Sequence, residues 1–210
     1  MRKAILRLGL FFIGINLLAV GIILNTRSDL GVAAFTSFFY ALSEITGITL
    51  GTASILVYFG LIVLQFILLK RVSVPVLLQI PFSLVFGLVT DFYDYIIPKA
   101  ELSLGGRGLL LAAAVWLTSI GVYLYTNCHL VMTPVEGTVQ TIADRFGFRF
   151  SLVKNCFDFS MLILTVLFCL LLRQPIFGIG IGTVLSALFL GRIIGIYEKR
   201  FSFLFRADAK

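Results

Sequence analysis

The sequence is short of charged residues, of histidine and of cysteine. Only 13% of its 210 residues are charged, about half the share found in a soluble domain. That excludes a separate soluble domain and the basic face of a nucleic-acid-binding fold. One histidine and three cysteines without a C-x-x-C spacing do not make a metal site. With no P-loop, G-x-S-x-G or H-E-x-x-H motif present, we expect no enzyme activity, no cofactor and no metal.

Apolar residues, by contrast, are abundant. They make up 60% of the chain, against about 45–50% in a soluble domain, and the mean hydropathy is +1.07. We therefore expect an all-α membrane protein with one membrane domain over residues 1–210. Six segments approach the ~20 apolar residues that a spanning helix needs: about Ala4–Asn25, Gly51–Leu69, Val74–Tyr95, Leu109–Thr126, Ser151–Leu172 and Ile176–Tyr197.

The first of these segments follows Arg2 and Lys3, as the core of a signal peptide would. Its apolar run from Leu8 to Leu24 is longer than the ~7–15 residues of such a core. No A-x-A-like cleavage site follows it. We therefore expect this segment to be retained as the first span.

Two further segments, Ser28–Thr46 and Thr133–Phe146, are helix-like but too short or too polar to cross hydrocarbon. The second begins with Thr133, Pro134 and Glu136, which predicts a capping box. A glycine follows each segment, Gly47 and Gly147, which suits a helix C-cap. Because polar backbone at membrane depth needs a protein or water-filled surrounding, we predict two re-entrant half-helices.

The two halves of the chain repeat one order of elements: a span, a half-helix and two further spans. Leu17–Gly47 and Leu117–Gly147 align without gaps over 31 positions with six identities: Leu17/Leu117, Gly21/Gly121, Leu24/Leu124, Thr26/Thr126, Leu30/Leu130 and Gly47/Gly147. With three crossings in each half, the second half must run upside down. We therefore predict two inverted-topology repeats, about 1–97 and 107–198, as in many secondary transporters.

The basic residues predict how these halves are oriented. With a cytoplasmic N-terminus, four basic residues lie outside: Arg27, Lys99, Arg107 and Arg173. Twelve of the 17 then lie inside: Arg2, Lys3, Arg7, Lys70, Arg71, Arg145, Arg149, Lys154, Lys199, Arg200, Arg206 and Lys210. Because basic residues collect in cytoplasmic loops, we expect both termini in the cytoplasm. The first half-helix then lies on the outer side and the second on the inner side.

Ionisable side chains inside spans are candidates for a substrate or ion site. Asp158 lies about 10 Å into the fifth span at ~1.5 Å per residue, and Lys154 lies one turn before it on the same face. This pair either faces a cavity and binds a solute, a proton or an ion, or is a structural ion pair that holds its helix to neighbouring helices.

Four more positions complete the candidate site. Glu136 either only caps the second half-helix or also faces a cavity near Asp158. Thr133 marks the start of that half-helix, where free N–H groups attract anions; Ser28 or Ala33 marks the corresponding start in the first half. Gln79 is polar at depth and needs a partner, and Asp91 lies near the outer end of its span.

The sixth predicted span carries GxxxG spacings at Gly178–Gly182 and Gly191–Gly195. Such spacings let helices approach closely. They serve either packing within the chain or a homodimer.

Several of these motifs together resemble the YczE/YyaS/YitT family of bacterial membrane proteins. They are TPVEG (133–137), VKNCFDFS with Lys154 and Asp158, GIGTVLSALFLG (180–191), and in the first half SDLG, TLGTAS and QIPFSLVFGLVTD. The likeness covers nearly the whole chain. It implies a location in the bacterial cytoplasmic membrane, with transport the usual suggestion for the family. Ala33 and Ala34 stand where the family pattern has a proline, so we expect a less sharp start of the first half-helix.

Two classes of function follow from this sequence. The first is a small secondary transporter or exporter of an unidentified polar or amphipathic solute, with protons as a candidate coupling ion through Asp158 or Glu136. The second is a non-transporting membrane module that binds a ligand or partner protein and assists another system. The expected partners are the lipid bilayer and a small solute, without nucleic acid.

Overall fold

The computed structural model describes residues 2–201, with side chains for 5–197, 199 and 200. Within this range the chain is helical and contains no β-strand. The helices are α1 (Arg2–Ser28), α2 (Ala34–Thr46), α3 (Leu50–Leu69), α4 (Val74–Leu77), α5 (Gln79–Ile96), α6 (Leu104–Asn127), α7 (Pro134–Phe146), α8 (Phe150–Leu171) and α9 (Ile181–Phe201).

The predicted spans are largely present, and the chain is an integral membrane protein. Five segments are long and apolar enough to cross a bilayer: Ile5–Ser28, Leu50–Leu69, Val74–Ile96, Leu104–Asn127 and Phe150–Leu171. The third of them combines α4 and α5. A sixth apolar segment, Ile181–Tyr197, lies within α9.

The sixth span was predicted to begin at Ile176, and this boundary is wrong. Residues 174–180 are not helical, and Gly178 has a left-handed φ of 75°. The Val32 N–H donates to the Gly178 carbonyl at 2.8 Å, and the Gly182 N–H donates to the Leu30 carbonyl at 2.7 Å. Gly178 and Gly180 therefore lie in a strap against the loop before α2, and they do not form a helical GxxxG face.

The first half-helix is also shorter than predicted. Helix α1 continues to Ser28, and α2 begins only at Ala34, after the extended N-cap residue Ala33. The two glycine C-caps are confirmed, because Gly47 and Gly147 have φ values of 73° and 70°. Both short helices therefore end in the left-handed turn that releases the chain into the next long helix.

The most extensive packing between long helices is that of α1 on α6 and of α3 on α5. Helix α1 packs along α6 so closely that a Cβ at Gly121 would meet Leu18 N at 2.5 Å. Helix α3 packs antiparallel on α5, and a Cβ at Gly51 would overlap the Gly87 carbonyl. Small residues at these crossings let the backbones touch, as in other membrane bundles.

The short helices are enclosed between the long ones. Helix α2 packs on α8, and α7 packs on α3. Ion pairs mark the end of the bundle where α1 and α5 finish, called here the Arg27 end: Arg27–Asp94 at 2.7 Å, Arg107–Asp29 at 3.0 Å and Lys99–Glu44 at 3.3 Å. The opposite end, where α7 finishes and α8 begins after Arg149, is called the Arg149 end. Helices α2 and α7 thus finish at opposite ends and begin inside the bundle.

Candidate functional site

A cavity of about 730 Å³ lies where α2 and α7 begin. Helices α1, α3, α6, α8 and α9 complete its walls, which are mostly apolar. Its size falls in the range of small-molecule sites, about 300–1,000 Å³. The structure brings Thr133, Glu136, Lys154 and Asp158 to this one cavity.

Glu136 lies in the first turn of α7. Thr133 Oγ1 accepts a hydrogen bond from the Glu136 N–H at 3.2 Å, so the threonine half of the predicted capping box is present. The carboxylate does not turn back to the Thr133 N–H: it accepts from the Thr133 hydroxyl at 3.1 Å and, in a short bond, from the Tyr125 hydroxyl. The other half of the capping box is therefore replaced by a contact with α6.

Burial governs the ionisation of Glu136, whose helix does not span the membrane. It raises the pKa of the carboxyl above its usual value, while the Tyr125 hydrogen bond and the Lys154 charge act in the opposite direction. Desolvation disfavours the charged form of an acid. Glu136 therefore holds a proton at higher pH than an exposed glutamate does.

Lys154 and Asp158 project from α8 into the same cavity. Lys154 Nζ lies 2.5 Å from Asp158 Oδ1, and the two side chains are 27% and 29% exposed. The ammonium group also lies 5.4 Å from the centre of the Phe35 ring, close enough for a cation–π contact. Because this ion pair joins two residues of one helix, it does not itself hold α8 to a neighbour.

The start of α2 forms another part of the wall. Ala33, Ala34 and Phe35 line the cavity, and Ala33 makes no side-chain cap. The start of α2 therefore lies at the cavity without a capping hydroxyl such as the one that Thr133 supplies to α7.

Gln79 and Asp91 do not line the cavity. The Gln79 amide pairs with the Gln65 amide in two bonds of 2.8 and 3.0 Å, buried between α3 and α5. Asp91 accepts from the Gly51 N–H at 2.6 Å and from the Thr49 hydroxyl at 2.7 Å. Both residues join α5 to α3.

Sequence reasoning missed Tyr125, Tyr58 and Ser186, which also line the cavity. Tyr125 looks like one more aromatic residue in an apolar helix, and nothing in its neighbourhood indicates its bond to Glu136. The Ser186 hydroxyl is fully buried and has no hydrogen-bond partner in the described part of the chain. A buried hydroxyl without a partner costs stability and points to a ligand group beside it.

The cavity opens between α8 and α9. Within residues 2–201, these helices do not pack along their lengths, although α3 and α5 do. Gly191 on α9 lines the cavity, and a Cβ there would meet no atom within 4 Å. Phe159 on α8 lines the cavity and is 65% exposed, so it stands at the mouth.

Three bacterial proteins are similar to this chain along most of their lengths. It is 27% identical to the uncharacterised membrane protein YczE of Bacillus subtilis (strain 168), covering 92% of this chain and 86% of YczE. It is 26% identical to the uncharacterised protein YyaS of the same organism, covering 88% and 89%. An uncharacterised protein of Haemophilus influenzae is 24% identical, covering 90% and 82%. No solved structure matches.

A model for a family of unknown function, DUF6198, matches residues 5–199. That range holds every helix that lines the cavity and all the motifs from which the resemblance was predicted. The resemblance to YczE and YyaS is confirmed, and the chain belongs to the DUF6198 family.

Proposed function

We propose that this protein is a small secondary transporter that moves a polar or amphipathic solute across the bacterial cytoplasmic membrane. One observation carries the proposal: two short helices begin at a single cavity inside the bundle, where Glu136, Lys154 and Asp158 also lie. Broken helices that begin near mid-membrane form the substrate sites of many transporters. Ionisable groups at such depth mark solute or proton pathways.

Matching contacts support the inverted repeat on which such transport depends. The Ser37 hydroxyl lies 2.9 Å from the Thr165 hydroxyl, where α2 meets α8. The equivalent positions in the other half, 137 and 65, also meet, since a Cβ at Gly137 would lie 2.8 Å from Gln65 Oε1. Ser37 corresponds to position 137 and Thr165 to position 65, each by the predicted offset of 100.

The crossing of α1 and α6 follows the same symmetry. A Cβ at Gly21 would meet Thr118 N at 2.8 Å, and a Cβ at Gly121 would meet Leu18 N at 2.5 Å. Exchanging the two halves converts one contact into the other. This favours a two-fold axis that passes between α1 and α6.

The halves differ at the position where access would change. In the first half, α3 and α5 are closed: Gly51 touches Gly87, and Asp91 binds the start of α3. In the second half, α8 and α9 leave a gap at Gly191, which lies six residues before Tyr197 as Gly87 lies six residues before Tyr93. Alternating access would close α8 on α9 and open α3 from α5.

The orientation remains that predicted from the basic residues, with both termini in the cytoplasm. The Arg149 end is then cytoplasmic, and Asn155 and Asp158, which line the cavity, lie in the first half of α8, nearer that end. We assign the described conformation to the inward-facing state.

Cysteine labelling tests this proposal. In a background with Cys128, Cys156 and Cys169 replaced by alanine, Asn155→Cys is expected to react with an impermeant maleimide in inside-out vesicles. Ser54→Cys, 1% exposed at the position equivalent to Lys154, is expected to react slowly from outside in intact cells, because α3 and α5 separate in the other state.

A second substitution tests whether the labelling of Ser54→Cys depends on the separation of α3 from α5. Asp91→Asn weakens the contact between α5 and the start of α3, so it is expected to speed the reaction of Ser54→Cys from outside. Glu101→Cys, in the exposed loop at the Arg27 end, is the control for access from outside. If Ser54→Cys never reacts while both other cysteines do, the protein does not alternate, and the non-transporting binding module is the better description.

A further inference from the structure

We propose that the solute is a lipophilic cation, that it enters from the lipid through the gap between α8 and α9, and that Glu136 is its counter-ion. This inference rests on the transport site proposed above and names its substrate class. The charges, walls and opening of the cavity each support it.

The charges that line the cavity do not cancel. They are Glu136, Asp158 and Lys154. Lys154 and Asp158 neutralise each other at 2.5 Å, whereas the contacts of Glu136 in the described chain are hydroxyl groups. The starts of α2 and α7 add about half a positive charge each, but these are partial charges spread over backbone N–H groups and not a counter-ion. An ionised Glu136 is therefore left with a formal negative charge that no charged side chain of the lining pairs with, and a cationic solute would supply that partner.

The walls suit a cation that is otherwise apolar. Aromatic rings of Phe35, Tyr58, Tyr123, Phe150 and Phe159 line the cavity. The face of an aromatic ring attracts a cation, most strongly where water is excluded. A small hydrated ion would leave most of these walls unused, while an apolar cation contacts both the rings and the carboxylate.

The opening suits entry from the membrane. Phe159, Leu190 and Gly191 line the cavity where α8 and α9 stand apart. These helices face lipid on their outer surfaces, because Ile163, Leu188 and other large apolar side chains there are exposed. An amphipathic molecule dissolved in the inner leaflet therefore reaches Glu136 without passing through bulk water.

Proton and solute would then exclude each other at Glu136. The ionisable groups around it are Tyr125 on α6, Tyr58 on α3, and Lys154 and Asp158 on α8. Among these groups Lys154 alone is positively charged, and it is already paired with Asp158. Binding of the cation therefore displaces a proton from Glu136, and exchange of the two across the membrane follows from the alternation proposed above.

Two probes of the same shape and opposite charge test the inference. We would measure equilibrium dialysis of tetraphenylphosphonium and of tetraphenylborate against the purified full-length protein in detergent. Tetraphenylphosphonium is expected to bind saturably and more tightly as pH rises, because deprotonation of Glu136 exposes its charge. Tetraphenylborate is expected to show no saturable binding.

Two variants locate the charge. Glu136→Gln is expected to weaken tetraphenylphosphonium binding at least tenfold and to remove its pH dependence. Asp144→Asn, on the exposed side of the same helix, is expected to leave both unchanged. A melting temperature near that of the wild type shows that Glu136→Gln is folded; if it is not, Glu136→Asp is used and a shifted pH profile is expected.

Three results would overturn the inference: saturable binding of tetraphenylborate, binding of neither probe, or cation binding that Glu136→Gln leaves unchanged. The labelling of Ser54→Cys reports separately on transport. If neither probe binds but that cysteine still reacts from outside, the cation is wrong and alternating access stands. If the cation binds but the cysteine never reacts, the site is a cation receptor and the transport proposal fails.

Discussion

The buried pair of Gln65 and Gln79 allows a quantitative test of how α3 is held to α5. Both side chains are buried, and the two amides exchange hydrogen bonds of 2.8 and 3.0 Å. Gln65 Nε2 also lies 3.3 Å from the Pro134 carbonyl of α7, whereas Gln79 has no further side-chain bond in the described chain. The two residues are therefore not equivalent, and their substitutions should differ.

Replacing each glutamine by leucine leaves different groups without partners. Gln79→Leu strands one acceptor, Gln65 Oε1, while Gln65 Nε2 keeps the Pro134 carbonyl. Gln65→Leu strands both the donor and the acceptor of Gln79. At about 1–3 kcal/mol for each stranded buried group, we expect losses of about 1–3 kcal/mol for Gln79→Leu and about 2–6 kcal/mol for Gln65→Leu.

The double variant strands neither amide. Its loss of unfolding free energy is expected to be at least about 1 kcal/mol smaller than the summed losses of the two single variants. Interhelical hydrogen bonds in membrane proteins average ~0.6 kcal/mol each, and two of them join Gln65 to Gln79. Equilibrium unfolding in mixed micelles gives all four free energies. Equal losses for the two single variants, or strictly additive losses in the double variant, would show that the amides do not depend on each other.

Three further predictions concern stability. Gly121→Ala should lower the unfolding free energy by about 1–3 kcal/mol, because the added Cβ would lie 2.5 Å from Leu18 N. Gly60→Ala is the control: a Cβ there meets no atom within 4 Å, so this variant should not lower the unfolding free energy. Asp158→Asn should change the unfolding free energy by no more than about 0.5 kcal/mol, since an i,i+4 pair contributes little; a loss of several kcal/mol would make the pair a structural lock. Arg27→Met should lower the melting temperature, because its 8% exposed side chain ties α1 to the end of α5; an unchanged melting temperature would contradict that role.

Much of the fold is readable from the chain because lipid imposes simple conditions on it. A spanning helix must be long and apolar, so the five long segments stand out. The half-helices are readable because Thr133 and Pro134 start one of them and Gly47 and Gly147 end both. The prediction failed where tertiary contacts decide. Residues 176–180 were assigned to the sixth span, but they are not helical, and the Gly178 carbonyl instead accepts from the Val32 N–H in the loop before α2.

The candidate site is readable in its charges but not in its partners. Glu136, Lys154 and Asp158 stand out because charge is rare in apolar helices. Gln79 was correctly expected to need a partner, yet nothing in the sequence indicates that Gln65 supplies it. The bond from Tyr125 and the gap beside Gly191 depend on which helix faces meet, and a pattern along one chain does not encode that.

The close crossing of α1 and α6 has a consequence for biosynthesis. Gly14 and Gly21 of α1 pack against the backbone of α6, at positions around Ala114, Thr118 and Gly121. When α1 leaves the translocon, α6 has not yet been synthesised, so the glycine face of α1 is at first exposed to lipid. Contacts so distant along the chain form late. We therefore expect neither half to reach its native packing alone, and two separately translated halves to associate in the bilayer.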